Sequence, residues 1–190
     1  MNPALGGRAA LVACYAAAMT SWTKVDAATG ATPMAIMKSG DFAALTSAYS
    51  VKDMFVGFIG GSAGEVSALC LILGGVYLIV RKVISWHIPV VFIGTVFVLT
   101  FIAGGANFAL YQILAGGLFI GAIFMATDYV TSPITKKGKV IFAVGCGVIT
   151  FIVRYFCSYP EGVSFSSLIM NLFVPIIERF SRNIPLGGGK

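Results

Sequence analysis

The residues best suited to chemistry sit together in Asp26-Ala27-Ala28-Thr29-Gly30-Ala31-Thr32-Pro33, a small polar loop in a chain that is otherwise mostly apolar. Thr32 followed by Pro33, Met34, Ala35, Ile36 and Met37 reads as a helix N-cap. A threonine hydroxyl there accepts a bond from a first-turn N–H, and proline loses nothing at a position whose N–H has no partner. Gly30 supplies the turn before it. Capping accounts for Gly30, Thr32 and Pro33 but gives no role to Asp26, Thr29 or Ala31. A phosphate esterified to the cap hydroxyl would sit against free N–H groups and the positive end of a helix dipole. A threonine hydroxyl with no base beside it does not attack a phosphate unaided. Modification at Thr32 therefore calls for a separate enzyme, which would read Asp26 and Thr29.

The elements that must position this loop are membrane elements. Of 190 residues, 58% are hydrophobic and 11% charged, with mean hydropathy +0.93. A soluble domain carries about 25% charged residues. The excess of 13 Lys+Arg over 7 Asp+Glu gives a net charge of +6. In a soluble chain that would suggest nucleic acid. Here the cations lie between apolar runs and report topology, so nucleic acid is excluded as a partner. Cys14, Cys70, Cys146 and Cys157 stand singly, with no C-x-x-C, and read as packed thiols rather than metal or cluster ligands. Asn2 to Arg8 lacks the basic-then-apolar order of a cleavable signal.

The pattern predicts an all-α, polytopic membrane helical bundle with a re-entrant or broken helix, in one membrane domain over 1–190. A first apolar segment covers Ala9 to Trp22. A polar loop over 23–53 carries the motif and a short helix around Pro33 to Lys38, and the helical bundle occupies 54–190. Met54 to Gly61 is too short to cross and reads as the re-entrant or broken piece. Spans are expected at Val66–Val80, Ile88–Ala103, Phe108–Ala126, Lys139–Cys157 and Ser164–Ile177. With the Arg81/Lys82 loop in the cytoplasm, alternation also places Arg8, Lys136, Lys137, Lys139, Arg179, Arg182 and Lys190 there. Lys24, Lys38 and Lys52 fall outside, and Arg154 lies near the outer end of its segment. The bias puts the Thr32 loop on the extracytoplasmic side.

Glu65, Asp128, Arg154 and Glu161 are the charges least comfortable in lipid, and such residues mark pathways or pair internally. Glu65, beneath the loop, is a cation ligand, a proton acceptor or a capping carboxylate. Asp128 is an ion-pathway residue or a partner in a loop bond. Arg154 and Glu161 are spaced for a structural ion pair. His87, after Trp86, reads as an interfacial anchor. Glycine pairs such as Gly57/Gly61, Gly60/Gly64 and Gly117/Gly121 suit close helix packing, with cofactor or pore clearance as the alternative.

The pattern D-x-x-[ST]-G-A-T at Asp26–Thr32 resembles the flavinylation motif of the Rnf and Nqr ion-translocating oxidoreductases. More of the chain joins it, in order. Asn2-Pro3-Ala4-Leu5-Gly6-Gly7-Arg8, Gly61 to Val66, Ser85-Trp86-His87-Ile88-Pro89, Ala126-Thr127-Asp128 with Val130-Thr131, Gly138-Lys139, Tyr159 to Val163, and Asn171-Leu172 with Pro175 resemble segments of RnfD, itself similar to NqrB. Tyr129 departs from the proline usual after that Asp. The resemblance covers the C-terminal half or slightly more of a longer family protein.

That resemblance implies FMN joined through its phosphate to Thr32 by a flavin transferase, with Asp26, Thr29, Gly30 and Ala31 completing the motif. It implies one half of a urea-transporter-like inverted-repeat fold in the cell (inner) membrane. The flavin would relay electrons on the outer side, in a complex between ferredoxin and NAD coupled to Na⁺ or H⁺ transport. Expected partners within the Rnf complex are the flavin-bearing RnfG and the membrane components RnfA and RnfE. No complete active site for ferredoxin or NAD is expected on this chain, and no catalytic residue or metal. Two other readings stay open: half of a transporter or channel whose broken helix and Glu65 bind substrate, and a structural membrane subunit without cofactor.

Overall fold

The computed structural model describes residues 2–15, 33–38, 45–47, 49–59, 64, 66–157 and 162–181. Asp26, Thr29, Gly30, Ala31, Thr32, Glu65 and Glu161 lie outside the described residues. The described residues are helical and contain no strand. In chain order the helices are α1 (Pro3–Cys14), α2 (Pro33–Lys38), α3 (Val51–Val56), α4 (Ala68–Val80), α5 (His87–Leu114), α6 (Leu118–Ile120, continued by a π-helical turn over Gly121–Met125), α7 (Lys136–Phe156) and α8 (Gly162–Ser181). Three of them, α5, α7 and α8, are long and apolar enough to cross a membrane. The 21 residues of α7 would extend about 32 Å at 1.5 Å per residue, matching a hydrocarbon core of about 30 Å. This is a multi-pass membrane protein.

Sequence signals fix most helix ends. Asn2 caps α1, its Oδ1 accepting from the N–H groups of Ala4 and Leu5. That moves the first helix upstream of the expected Ala9 start, because the Asn-Pro cap outweighs the onset of the apolar run. Ser50 caps α3, Ser67 caps α4, and Thr135 caps α7 by accepting from Gly138 N–H at 3.0 Å. The expected helix around Pro33 to Lys38 is α2.

Two expectations about broken helices are corrected. The piece at Met54–Gly61 ends early, because Gly57 takes φ 110° and stops α3 there. The span expected at Phe108–Ala126 is interrupted at Ala115-Gly116-Gly117, where Gly116 adopts φ 70°. The break expected between two helical segments at Gly104–Asn107 is present, although it is tighter than a loop. It is a sharp turn inside α5 at Gly105, whose φ of 82° and ψ of −179° suit only glycine.

The core lies between α5, α6, α7 and α8, with Phe92, Val96, Leu118, Phe142, Ala143 and Cys146 fully enclosed. Helices α7 and α8 run antiparallel and are joined by hydroxyls. Thr150 Oγ1 donates to Ser166 Oγ at 2.7 Å in the buried middle, and Thr135 and Ser181 meet at 2.6 Å at one end. Inside a membrane such bonds supply what the hydrophobic effect does not. Cys14, Cys70 and Cys157 are exposed and only Cys146 is packed, so the packed-thiol expectation holds at one position of four. Outward faces of α5, α7 and α8 carry Ile102, Val144, Ile152 and Phe180, as helices against lipid or neighbouring subunits must.

At Gly147, α5 and α7 approach closely. A Cβ there would stand 2.7 Å from Thr95 Cβ and 3.4 Å from Phe92 O. The branched Thr95 side chain cannot swing aside, since its Oγ1 is bonded to Val91 O at 2.7 Å. Gly147→Val is expected to lose about 1–3 kcal/mol. Gly94→Ala, with nothing within 4 Å of the added carbon, serves as the tolerated control. Thermal unfolding of the detergent-solubilised protein checks the pair, and equal melting temperatures would refute the close contact.

Candidate functional site

The candidate site forms where α5 stops short of completing its path. Turning at Gly105, the chain brings Ala103 and Gly104 on one side, and Phe108 and Gln112 on the other, to a common cavity. The end of α7 closes it with Arg154, Tyr155, Phe156 and Cys157, and α2 adds Met37. The enclosed volume is about 530 Å³.

A helix ending at Leu114 leaves its last carbonyls without partners, and at membrane depth water does not replace them. Arg154 answers this. Its Nη1 donates to Gln112 O at 2.5 Å and its Nη2 to Ala115 O at 3.3 Å. Only 5% of Arg154 is exposed, and the two carbonyl dipoles at the negative end of that helix favour its charge. Its expected partner Glu161 is outside the described residues. Gly116 is part of the same arrangement: a Cβ there would meet Arg154 Nη2 and Met34 Cε, each at 3.3 Å.

Met34, 4% exposed, ties the loop to this place. It packs in a second small core with Leu45, Tyr49, Met54, Tyr111 and Ala115, and Tyr111 Oη donates to Tyr49 O at 3.2 Å. The segment expected as a polar loop is thus docked through α2 onto the broken helix. Met34, Ile36 and Met37 were the available signal, three large apolar residues in six. The side chain of Gln112 is 6% exposed, and its Oε1 has no hydrogen-bond partner among the described residues. Sequence reasoning gave Gln112 no role, since one Gln in an apolar run carries no signature.

Asp128 stands elsewhere. Its Oδ2 accepts from Asn2 Nδ2 at 3.3 Å and from Thr131 Oγ1 at 3.0 Å, tying the start of α1 to the loop after α6. His87 stacks on Trp86 with ring centroids 4.3 Å apart. Among the described residues, no group of three or more His, Cys, Asp or Glu could hold a metal ion.

The model of the NQR2, RnfD, RnfE family matches residues 1–187. The chain is similar to the D subunit of the proton-translocating ferredoxin:NAD(+) oxidoreductase complex of Clostridium ljungdahlii, 46% identical over 98% of this chain and 61% of that protein. It is 43% identical to the D subunit of the Na(+)-translocating ferredoxin:NAD(+) oxidoreductase complex of Acetobacterium woodii, over 96% of this chain and 57% of that protein. The B subunit of the Na(+)-translocating NADH-quinone reductase of Chromohalobacter salexigens is 37% identical over 95% of this chain and 47% of its own length. The chain therefore spans less than two thirds of these relatives.

Arg154→Met removes both donors to the α5 carbonyls and is expected to cost about 3 kcal/mol, as for two bonds from a charged group. Arg154→Lys keeps the charge but not the fork, and recovers part of that loss. Melting of the solubilised variants, with hydrogen exchange over 112–118, measures it; an unchanged exchange pattern in Arg154→Met would contradict the capping role.

Proposed function

The chain belongs to the NQR2, RnfD, RnfE family, and from that premise we propose that it is the flavin-bearing membrane subunit of an ion-translocating electron-transport complex of the ferredoxin:NAD oxidoreductase type. FMN is carried as a phosphoester on Thr32, placed there by a flavin transferase that reads Asp26, Thr29, Gly30 and Ala31. The loop faces the extracytoplasmic side of the cell membrane, by the distribution of Lys and Arg. The observation that carries this reading is buried Gln112, whose Oε1 has no hydrogen-bond partner among the described residues, in the lining of a cavity shared with α2, the helix that begins right after Thr32.

The residues present fit the group. A flavin ring edge offers an N–H flanked by carbonyl oxygens. Gln112 Oε1 supplies the acceptor and the Arg154 guanidinium is the nearby donor, while Phe108, Tyr155 and Phe156 offer aromatic faces. A volume of about 530 Å³ lies within the usual range for a small-molecule site. When bound, FMN supplies electron transfer, and the protein fixes its position and potential. Gln112 and Arg154 hold and orient it, and Met37 of α2 lines the same cavity.

Electrons pass between this flavin and that of RnfG, with RnfA and RnfE as membrane neighbours. Ferredoxin oxidation and NAD reduction belong to other subunits, and the coupled ion is Na⁺ or H⁺. One observation favours a second reading, a transporter half without cofactor: the helix break at Ala115–Gly117 is the kind of discontinuity with which transporters hold substrates.

Intact mass and in-gel flavin fluorescence of the denatured protein, made in a flavinylating host, decide between the two. Wild type and Thr29→Ser, which keeps the hydroxyl that the transferase reads, are expected to carry the FMN increment and fluoresce, whereas Thr32→Ala does neither. Gln112→Leu keeps the covalent label but alters its absorption in the folded protein. A wild-type mass equal to the bare polypeptide selects the transporter reading.

A further inference from the structure

A second cavity, of about 390 Å³, lies where the loop after α4 meets the segment between α6 and α7. Its polar lining is made of donors: Lys82, Ser85, Ser132 and Lys139, with Tyr129 at the rim. Lys139 is half-buried and makes one hydrogen bond, from Nζ to Ser85 Oγ at 3.1 Å, which leaves two of its protons and the Ser85 hydroxyl proton to be placed. The Lys82 ammonium has no hydrogen bond or ion pair among the described residues, and Lys82 is the non-glycine residue held at positive φ (56°) among them. Among the described residues no carboxylate lines the cavity. The nearest in sequence, Asp128, spends its Oδ2 on Asn2 and Thr131. Two cations and several hydroxyls in a lining that, among the described residues, holds no carboxylate form a site for an anion with several oxygens.

The walls say which anion. Ile79 and Val83 line the same cavity, and Trp86, 54% exposed, flanks it as tryptophan does at a membrane interface. A free inorganic anion has no use for an apolar wall, whereas a lipid brings its glycerol and acyl chains along with its phosphate. We propose that this cavity binds the phosphodiester of an anionic glycerophospholipid. Lys82 and Lys139 take the phosphate oxygens, Ser85 and Ser132 complete the donor set, and Ile79 and Val83 receive the glycerol end. A basic pocket between helices at the membrane surface has the chemistry that head groups of this class require. This site is separate from the cavity at Arg154 and does not depend on the flavin.

The test uses the protein purified in detergent as its native complex, delipidated and titrated with phosphatidylglycerol, phosphatidylcholine or inorganic phosphate, with bound lipid counted by native mass spectrometry. Phosphatidylglycerol is expected to bind and phosphatidylcholine not to compete. Lys82→Gln and Lys139→Gln are each expected to weaken binding about fivefold, while Lys137→Gln, exposed and outside the cavity, leaves it unchanged. Because Lys139 also ties α7 to Ser85, Lys82→Gln on its exposed turn carries the test if Lys139→Gln does not assemble. Wild-type affinity in Lys82→Gln, or an equal loss in Lys137→Gln, overturns the proposal. Competition by millimolar inorganic phosphate overturns the lipid as its source.

Discussion

A helix that ends inside a membrane must have its last carbonyls answered by protein, and in this fold one guanidinium answers them. Arg154 reaches from α7 to the carbonyls of Gln112 and Ala115, where α5 stops. Exposed to lipid, such an end would cost several kcal/mol for each orphaned group. With Arg154 in place the chain can halt at Leu114, turn through Gly116, and resume as α6. The charge and the broken helix stabilise each other, since neither is tolerable alone at that depth. The cavity beside them and the docking of α2 depend on this pairing.

The surrounding scaffold is arranged to hold α7 still. Helix α8 is joined to it by the Thr150–Ser166 bond and by the Thr135–Ser181 contact, and α5 presses on it at Gly147. An arginine that serves as a cap needs its backbone fixed, because guanidinium geometry is directional. The polar bonds at one end of the molecule do related work: Lys139 to Ser85, Glu178 to Ile134 N–H, and Asn2 to Asp128 each link segments distant in sequence. Basic residues of the α4–α5 loop and of the start of α7 are thereby brought together.

The helices α7 and α8 and the first part of α5 were legible from apolar runs alone, because each is a continuous hydrophobic segment. So was α2, announced by Thr32-Pro33. The break at Ala115-Gly116-Gly117 was not. Leu-Ala-Gly-Gly-Leu is apolar throughout, and two glycines suit close packing as well as a change of direction. What decides between them is Arg154, about forty residues on, and long-range partners leave no local trace. Gln112 was missed for the same reason, and the partnership of Asn2 with Asp128 spans 126 residues. The motif at Asp26–Thr32 was readable as a pattern and lies outside the described residues; the choice of Tyr111 and Ala115 as packing partners of Met34 carried no sequence signal of its own.

The burial of Pro33 and Met34 has a mechanical side. Consecutive Cα atoms are about 3.8 Å apart, so whatever position 32 carries hangs from a fixed peg on a leash one peptide long. A flavin attached there, as proposed, would not shuttle between distant stations as on a long flexible arm. Its donor and acceptor would have to come to it, and the distance between them would become a property of how the subunits assemble.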